Sequence, residues 1–289
     1  MTTSLSPGRR LREQWSQGIV QIPGVFNALV ARMAEQIGFT AVYLSGGALS
    51  ASRGVPDVGL LTMPEFIDAA RSITHACSLP LVCDSDTGFG ETINVERTVR
   101  FFEEVGVAGI HLEDQRLPKR CGHLSGKQLV EPNEMISKIR AAVSAKTDPD
   151  FVIIARTDAR GVNGFDDAVA RAEQYLEAGA DAIFPEAMQN EAEFAKFAER
   201  IDAPLLANMT EFGKSELLDL QVLSDMGYKI VIYPLTAFRV AMRAAQETLA
   251  EIREKGHQRD KQKSMLNRED LYKLLGYSDY EERDRQHFT

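Results

Sequence analysis

The chain has 289 residues, of which 44% are hydrophobic and 26% are charged. This length is typical of a single α/β barrel, and the composition excludes disordered, collagen-like and coiled-coil proteins. The net charge of −9 argues against nucleic acid or an anionic membrane as the main partner. No apolar run approaches the roughly 20 residues of a membrane span and no secretory signal is visible, so we expect a cytoplasmic protein.

Short runs rich in Val, Ile and Leu recur along the chain, and amphipathic stretches follow them. This alternation predicts βα units around a parallel sheet. The predicted strands cover residues 18–22, 41–44, 79–83, 109–112, 151–155, 182–184, 204–207 and 230–233. The first strand runs into Pro23 and Gly24, not into the G-x-G-x-x-G turn of a doubly wound open sheet. We therefore predict a (β/α)8 TIM-type barrel over residues 1–255, with a C-terminal helical tail over 256–289 as part of the same domain.

Polar side chains follow the predicted strands, at the end of the barrel where enzymes of this architecture build their sites. They include Asp84 and Asp86, His111 and Glu113, Arg156 and Asp158, Glu186, Asn208 and Thr210. Residues two apart on a strand point the same way, so each pair should project into the barrel mouth. A structural ion pair would explain any one pair, but several carboxylates together repel one another unless a cation is present. Oxygen ligands suit Mg²⁺ or Mn²⁺, so the gathering of Asp84, Asp86 and Glu113 predicts a divalent metal in this region.

A polar loop at about residues 117–128 carries Cys121 between cations and His123. Its glycines indicate mobility, and the neighbouring cations favour the thiolate, so we expect a reactive cysteine; an idle surface thiol is the alternative. Cys83 should instead face the helix layer as a buried apolar group. No strand end carries a lysine for Schiff-base chemistry, and no Gly-rich phosphate grip follows the last two strands. Carboxylates are therefore the expected anions.

Five segments together resemble the isocitrate lyase and phosphoenolpyruvate mutase superfamily. They are residues 43–47, 84–90, 111–115, 119–123 and 208–213. The resemblance covers nearly the whole chain, and the Lys-Arg-Cys-Gly-His sequence is specific to the cysteine-bearing lyases of that superfamily. It implies a Mg²⁺-dependent barrel, with Mn²⁺ as the alternative metal. It also implies a homotetramer in which the last barrel helix is exchanged between subunits.

The resemblance also implies roles for individual residues. The implied metal ligands are Asp84 and Asp86, with Asp57 and Glu113 nearby through water. The implied catalytic groups are Cys121 as acid/base, His123, Tyr43 and Glu113. The implied substrate-binding residues are Ser45, Gly46, Gly47, Gly122, Arg156, Glu186, Asn208, Met209, Thr210, Arg239 and Arg268. For Arg268, which lies in a polar tail, a solvated charge is the alternative.

The implied activity is a carbon–carbon lyase reaction, the retro-Claisen cleavage of 2-methylisocitrate to pyruvate and succinate in the methylcitrate cycle of propionate catabolism. An apolar pocket around Phe184, Ile232 and Pro234 would receive the extra methyl group. The alternatives are a lyase acting on isocitrate or 2,3-dimethylmalate, an oxaloacetate decarboxylase, and a silent carboxylate-binding barrel. Phosphonate enzymes and oxaloacetate decarboxylase generally lack the cysteine loop. Tyr43 and a metal-linked carboxylate are both candidates for the base that deprotonates the hydroxyl.

Overall fold

Eight parallel strands form the wall of a barrel in the computed structural model, which describes residues 5–288. They are β1 (Val20–Pro23), β2 (Val42–Leu44), β3 (Leu81–Asp84), β4 (Gly109–Glu113), β5 (Val152–Thr157), β6 (Ala182–Pro185), β7 (Leu206–Asn208) and β8 (Ile230–Tyr233). Each strand overlaps the run predicted for it. The predicted barrel is thereby confirmed.

Parallel pairing runs continuously from β2 to β6, and separately from β1 through β8 to β7. Parallel bridges between Gly24 and Tyr43 and between Ile183 and Leu205 close the two gaps. The register sets Glu113 of β4 opposite Arg156 of β5. Because all strands run the same way, the polar residues at their carboxyl ends meet at one mouth of the barrel.

Helices alternate with the strands and cover the outside of the barrel. They are α1 (Pro7–Gln17), α2 (Ala28–Ile37), α3 (Gly46–Ser52), α4 (Met63–Ala76), α5 (Thr92–Glu104), α6 (Pro132–Ala145), α7 (Phe165–Glu177), α8 (Glu191–Arg200), α9 (Leu220–Asp225), α10 (Thr236–Lys255), α11 (Arg268–Leu275) and α12 (Tyr277–His287). Local signals set several ends: the side chain of Asn27 accepts the N–H of Val30 at the start of α2, and Gly38 adopts φ 101° at its end. Within residues 5–288, no helix has the length and apolar character that crossing a membrane requires.

Strand side chains alternate between two apolar layers. Val82 and Ile154 pack inside the barrel, together with Leu11 and Trp15 of α1, which covers the N-terminal end. Cys83 belongs to the outer layer, between the strands and the helices, and is fully buried. The predicted outward and buried position of Cys83 is confirmed. This alternation fixes which side chains reach the barrel mouth.

Helix α10 packs little against its own barrel. Of its 20 residues only Phe238 is buried, whereas Val240, Met242 and Leu249 are exposed apolar side chains. The chain then returns to the barrel surface, where Arg32 of α2 donates hydrogen bonds to carbonyl groups at the end of α11. The apolar face of α10 is therefore left uncovered within one chain.

Candidate active site

The polar residues at the strand ends converge on a small cavity at the barrel mouth. Asp84 follows the inward-facing Val82, and Arg156 follows the inward-facing Ile154, so alternation turns both side chains inward. The cavity measures about 50 Å³. The predicted site residues that line it are Tyr43, Ser45, Gly47, Asp57, Asp84, Cys121, Gly122, His123, Arg156, Glu186, Asn208 and Thr210. Larger cavities of about 350 and 700 Å³ lack this convergence of buried charges, although Asp86 lines the first of them.

Several predicted residues lie outside the cavity lining. Met209 is buried, and its sulfur accepts the N–H of Leu218 at 3.2 Å. Arg239 donates to a carboxylate oxygen of Glu211 at 2.7 Å. Arg268 is exposed at the first residue of α11, and the fold of one chain does not bring it to the cavity. Its substrate contact stays a prediction.

The carboxylate of Asp84 is fixed by backbone groups. Gly46 N donates to Oδ2 at 3.1 Å, and Asp86 N donates to Oδ1 at 2.9 Å. A Cβ at position 46 would lie 2.7 Å from Asp84 Oδ2, so this approach requires glycine. Asp86 itself adopts φ 46°, a left-handed conformation that aspartate tolerates better than most residues. The backbone therefore orients the Asp84 carboxylate before any ligand binds.

Next to Asp84 lies a cluster of carboxylates around the ammonium group of Lys119. Lys119 Nζ is 2.7 Å from Asp86 Oδ1 and also contacts Asp57. Burial raises the pKa of Asp86 to about 7 and raises the pKa of Glu113 well above its ordinary value. Among the described residues, no group donates a hydrogen bond to either carboxylate oxygen of Glu113. Lys119, together with Arg156 beside Glu113, leaves this cluster with fewer cations than carboxylates.

The donor set of this cluster fits a hard divalent cation. Asp84, Asp86 and Glu113 offer oxygen atoms only, and those of Glu113 lack hydrogen-bond donors. Within residues 5–288, no three His, Cys, Asp or Glu side chains form a ready cage for a metal. Mg²⁺ is usually held by one or two carboxylates and keeps several waters, so it does not need such a cage.

Arg156 is the buried cation on the other side of the mouth. Its Nε and Nη2 atoms donate to the two carboxylate oxygens of Asp158 at 3.0 and 3.2 Å. The guanidinium also lies 3.3 Å from Glu113 and 3.4 Å from Glu186, and it stacks 5.1 Å above the ring of Phe184. Burial alone would lower the pKa of Arg156, but the three carboxylates raise it. The cation therefore stays charged in this dry environment.

Glu186 joins strand β6 to the cysteine loop. Its Oε2 accepts from Asn208 Nδ2 at 3.1 Å, and its Oε1 lies 3.1 Å from His123 Nε2. The N–H of Lys214 donates to His123 Nδ1 at 3.0 Å, which assigns the ring proton to Nε2, facing Glu186. Burial would raise the pKa of Glu186, but Arg156 and His123 lower it. Glu186 is therefore ionised, accepts a hydrogen bond from Asn208 and lies beside His123.

Tyr43 and His111 form a neutral buried pair. The Tyr43 hydroxyl lies 2.8 Å from His111 Nε2. Burial raises the pKa of Tyr43 well above its ordinary value and lowers the pKa of His111 to about 4. At neutral pH Tyr43 is therefore a phenol, and it lines the cavity.

Cys121 lies in the loop that covers the mouth, and burial raises the pKa of its thiol. The expectation that neighbouring cations favour the thiolate was wrong. The physical reason is that those cations face other partners: Lys119 contacts Asp86, and Arg120 donates to the carbonyl of Ser125 at 2.9 Å. The resting group is a protonated thiol, which suits a proton donor.

The closed loop depends on residues that the strand pattern did not reveal. Gln115 exchanges two hydrogen bonds with the backbone of Arg120, at 2.8 and 2.9 Å. Lys119 and Lys127 are buried lysines of the loop, and both contact carboxylates of the barrel. Alternation predicts where strand side chains point but gives no position for loop side chains. The only sequence signal for these residues was their place in or beside the cysteine motif.

A (β/α)8 barrel with a desolvated carboxylate cluster and a cysteine loop at its mouth defines an enzyme that acts on small carboxylates. The phosphoenolpyruvate phosphomutase family matches residues 9–253, and the chain belongs to this family. A 2-methylisocitrate lyase from Aeropyrum pernix is 52% identical over 97% of this chain and 91% of its own length. Another from Bacillus subtilis is 48% identical over 96% of this chain and 92% of its own length. The superfamily predicted from the sequence is confirmed.

Solved structures show the same fold. A 2,3-dimethylmalate lyase of the PEP mutase/isocitrate lyase superfamily superposes with a TM-score of 0.92 at 32% identity, covering 99% of this chain and 96% of its own. A phosphonopyruvate hydrolase in complex with oxalate and Mg²⁺ superposes with a TM-score of 0.89 at 32% identity, covering 99% of this chain and all of its own. The fold and the family therefore agree.

We predict that Asp86→Asn weakens Mn²⁺ or Mg²⁺ binding by at least about 10-fold, because the cation loses an anionic ligand. Titration of Mn²⁺ followed by electron paramagnetic resonance measures the affinity without any substrate. Asp68→Asn, which alters an exposed aspartate of α4 paired with Arg71, is the matched control and should bind metal as the unmodified chain does. Undiminished affinity in Asp86→Asn would show that the cation does not bind at this cluster.

Proposed function

We propose that this chain is a lyase that cleaves 2-methylisocitrate to pyruvate and succinate. The observation that carries the proposal is the Cys121 thiol above the same small cavity as Arg156 and Asp84. One side of this cavity offers a carboxylate cluster for a metal and the other a buried guanidinium for a substrate carboxylate. The sequence identity to 2-methylisocitrate lyases, over nearly the full chain, supports this choice among related substrates.

The half of the substrate that becomes pyruvate is assigned to the carboxylate side of the cavity. A bound Mg²⁺, with Mn²⁺ as the alternative, would act there as a Lewis acid toward the hydroxyl and carboxylate oxygens. Asp84 and Asp86 would hold it, and Asp57 and Glu113 would orient its waters. Mg²⁺ and oxalate in the related phosphonopyruvate hydrolase support this assignment. Gly46 orients Asp84, and Ser45 and Gly47 lie beside it for the substrate carboxylate.

The succinate half is assigned to the guanidinium side. When the C–C bond breaks, its electrons move onto this half as an aci-carboxylate, whose charge needs fixed donors. Arg156, Asn208 and Thr210 line the cavity at this position. Thr210 Oγ1 is buried and has no hydrogen-bond partner among the described residues, so it is available to the substrate. His123, oriented by Lys214 N, completes this side.

Proton transfer is assigned to groups on opposite sides of the substrate. The buried thiol of Cys121 would protonate the aci-carboxylate carbon and complete succinate. Burial keeps Tyr43 a neutral phenol, so we assign the removal of the hydroxyl proton to a carboxylate of the metal cluster. Tyr43 would hydrogen-bond the substrate oxygen. The small cavity volume supports a loop that opens to admit substrate and closes to exclude water.

We also propose that the chain forms a tetramer in which α10 is exchanged between paired subunits. The uncovered apolar face of α10, with Val240, Met242 and Leu249 exposed, supports this assembly. Light scattering should report a tetramer, and a monomer at micromolar concentration would contradict the proposal. The cytoplasmic location and the place in propionate catabolism stay predictions from the sequence.

We predict that Cys121→Ser lowers kcat by roughly 10²–10⁴-fold, because the serine hydroxyl is a far weaker acid than the thiol. The melting temperature should change little, since the two side chains are similar in size. Cys77→Ser is the matched control, because Cys77 lies at the end of α4, away from the cavity, and should retain activity. An unchanged kcat in Cys121→Ser would reduce Cys121 to a bystander in the loop.

Substrate choice tests the proposed function directly. The apolar side chains of Phe184, Ile232 and Pro234 line the cavity and would enclose the extra methyl group. A filled apolar pocket discriminates one methyl by about 1–3 kcal/mol, so we predict roughly 10–200-fold higher kcat/KM for 2-methylisocitrate than for isocitrate. A coupled assay of pyruvate or glyoxylate release, with 2,3-dimethylmalate and oxaloacetate as further substrates, measures this preference.

The same assay on Phe184→Trp should show a reduced preference, because the larger ring takes the space of the methyl group. Phe288→Trp, in the exposed C-terminal segment, is the control and should keep the preference. Equal kcat/KM for 2-methylisocitrate and isocitrate in the unmodified chain would overturn the assignment and leave only a lyase of this superfamily.

A further inference from the structure

The buried carboxylate of Asp158 joins Arg156, on the substrate side of the cavity, to Lys127 of the cysteine loop. The Asp158 side chain is 0% exposed. Arg156 Nε donates to one oxygen at 3.0 Å, and Lys127 Nζ donates to the other at 2.6 Å. The backbone N–H of Asp158 is held by Asp114 Oδ1 at 2.8 Å. Asp158 is therefore rigidly placed and shared by two cations from different parts of the chain.

Lys127 connects this carboxylate to the backbone beside the catalytic thiol. Its side chain is 1% exposed, and its second acceptor is the carbonyl oxygen of Gly122, the residue after Cys121. A buried ammonium group is unfavourable unless acceptors fill its hydrogen bonds. Both acceptors are present together only when the loop lies on the barrel, because one belongs to the loop and the other to the end of β5.

The approach of the loop backbone to this point is tight. A Cβ at position 122 would lie 2.5 Å from Arg156 Nη2, so glycine is required for the loop to lie this close. The loop backbone thus contacts the guanidinium that lines the substrate cavity, and the same guanidinium shares Asp158 with Lys127. The contacts form an unbroken chain from Arg156 through Asp158 and Lys127 to the Gly122 carbonyl.

We propose that Lys127 and Asp158 are positioning residues that couple substrate binding at Arg156 to the placement of Cys121. This inference rests on the proposed function, in which Arg156 binds a substrate carboxylate. A bound substrate carboxylate would compete with Asp158 for the Arg156 guanidinium. Asp158 would then interact more strongly with Lys127, and this stronger ion pair would fix the loop more firmly on the barrel. Because coupling is reciprocal, a loop held by Lys127 also favours bound substrate.

The test measures how fast iodoacetamide alkylates Cys121, with peptide mass mapping to separate it from the buried Cys77 and Cys83. The alkylation rate constants are taken at the high-pH plateau, where Cys121 is fully ionised. A variant that changes only the thiol pKa therefore leaves these rate constants unchanged. Without substrate, Lys127→Met should speed alkylation by about 10-fold, the effect of losing one charged hydrogen bond. Arg116→Met removes an exposed cation near the start of the same loop and should alkylate like the unmodified chain.

The effect of bound reaction products on the alkylation rate distinguishes coupling from a merely structural role of Lys127. Pyruvate and succinate together, with Mg²⁺, should protect Cys121 in the unmodified chain and in Arg116→Met but protect it much less in Lys127→Met. The kcat of Lys127→Met should fall by about 10–100-fold. Unchanged alkylation and full protection in Lys127→Met would overturn the proposal, even if its melting temperature falls.

The single variant Asp158→Asn provides an independent check in case Lys127→Met folds poorly. Asp158→Asn keeps the shape of the side chain but removes its charge, and should also speed alkylation. If both residues act through one chain of contacts, the double variant Lys127→Met/Asp158→Asn should be alkylated at a rate within about 2-fold of the faster single variant. If the increase in alkylation rate in the double variant equalled the product of the increases in the two single variants, the proposed coupling would be overturned. Absence of lyase activity in the unmodified chain would defeat the proposed function, whereas the substrate-free alkylation rates would still decide the role of Lys127.

Discussion

A guanidinium group buried among three carboxylates is the interaction on which the barrel mouth depends. Arg156 contacts Glu113 at the end of β4, Asp158 just after β5 and Glu186 just after β6. Each of these charges would be costly alone in a dry site, and together they compensate one another. Removal of Arg156 would leave three buried carboxylates without their main counter-charge. The strand register that sets Glu113 opposite Arg156 is therefore also what makes the site stable.

The other side of the mouth has more carboxylate groups than cations. Asp57 and Asp86 share the ammonium group of Lys119, and Glu113 also contacts Arg156. Burial raises the pKa of Asp86 to about 7. A divalent cation would relieve this excess of carboxylate, whereas the Arg156 side would offer its guanidinium to a substrate carboxylate. A substrate with a metal-binding hydroxy acid at one end and a plain carboxylate at the other matches this polarity. The chemistry of the proposed lyase follows from this division.

Much of this arrangement could be predicted from the sequence because parallel strands obey simple geometry. The alternation of inward and outward residues predicted that Asp84 and Arg156 reach the mouth, and it predicted the buried, outward position of Cys83. The positions of the side chains in the cysteine loop could not be predicted from strand alternation. The paths of Lys119 and Lys127 depend on contacts with distant carboxylates, so the sequence suggested free cations beside Cys121 where the fold pairs them. The acidity of the Cys121 thiol was predicted in the wrong direction because the fold buries the thiol, which raises its pKa, and pairs the loop cations with other groups.

In the proposed reaction, one fixed thiol in a closed cavity completes the succinate product. Cleavage of 2-methylisocitrate in D₂O, followed by mass spectrometry and stereochemical analysis of the succinate, tests this claim most directly. A thiol that exchanges with solvent before substrate binds, and then delivers its deuteron from one side, yields succinate with a single deuterium of one configuration. Succinate labelled in both configurations would mean that bulk water, and not Cys121 above the substrate, supplies the proton.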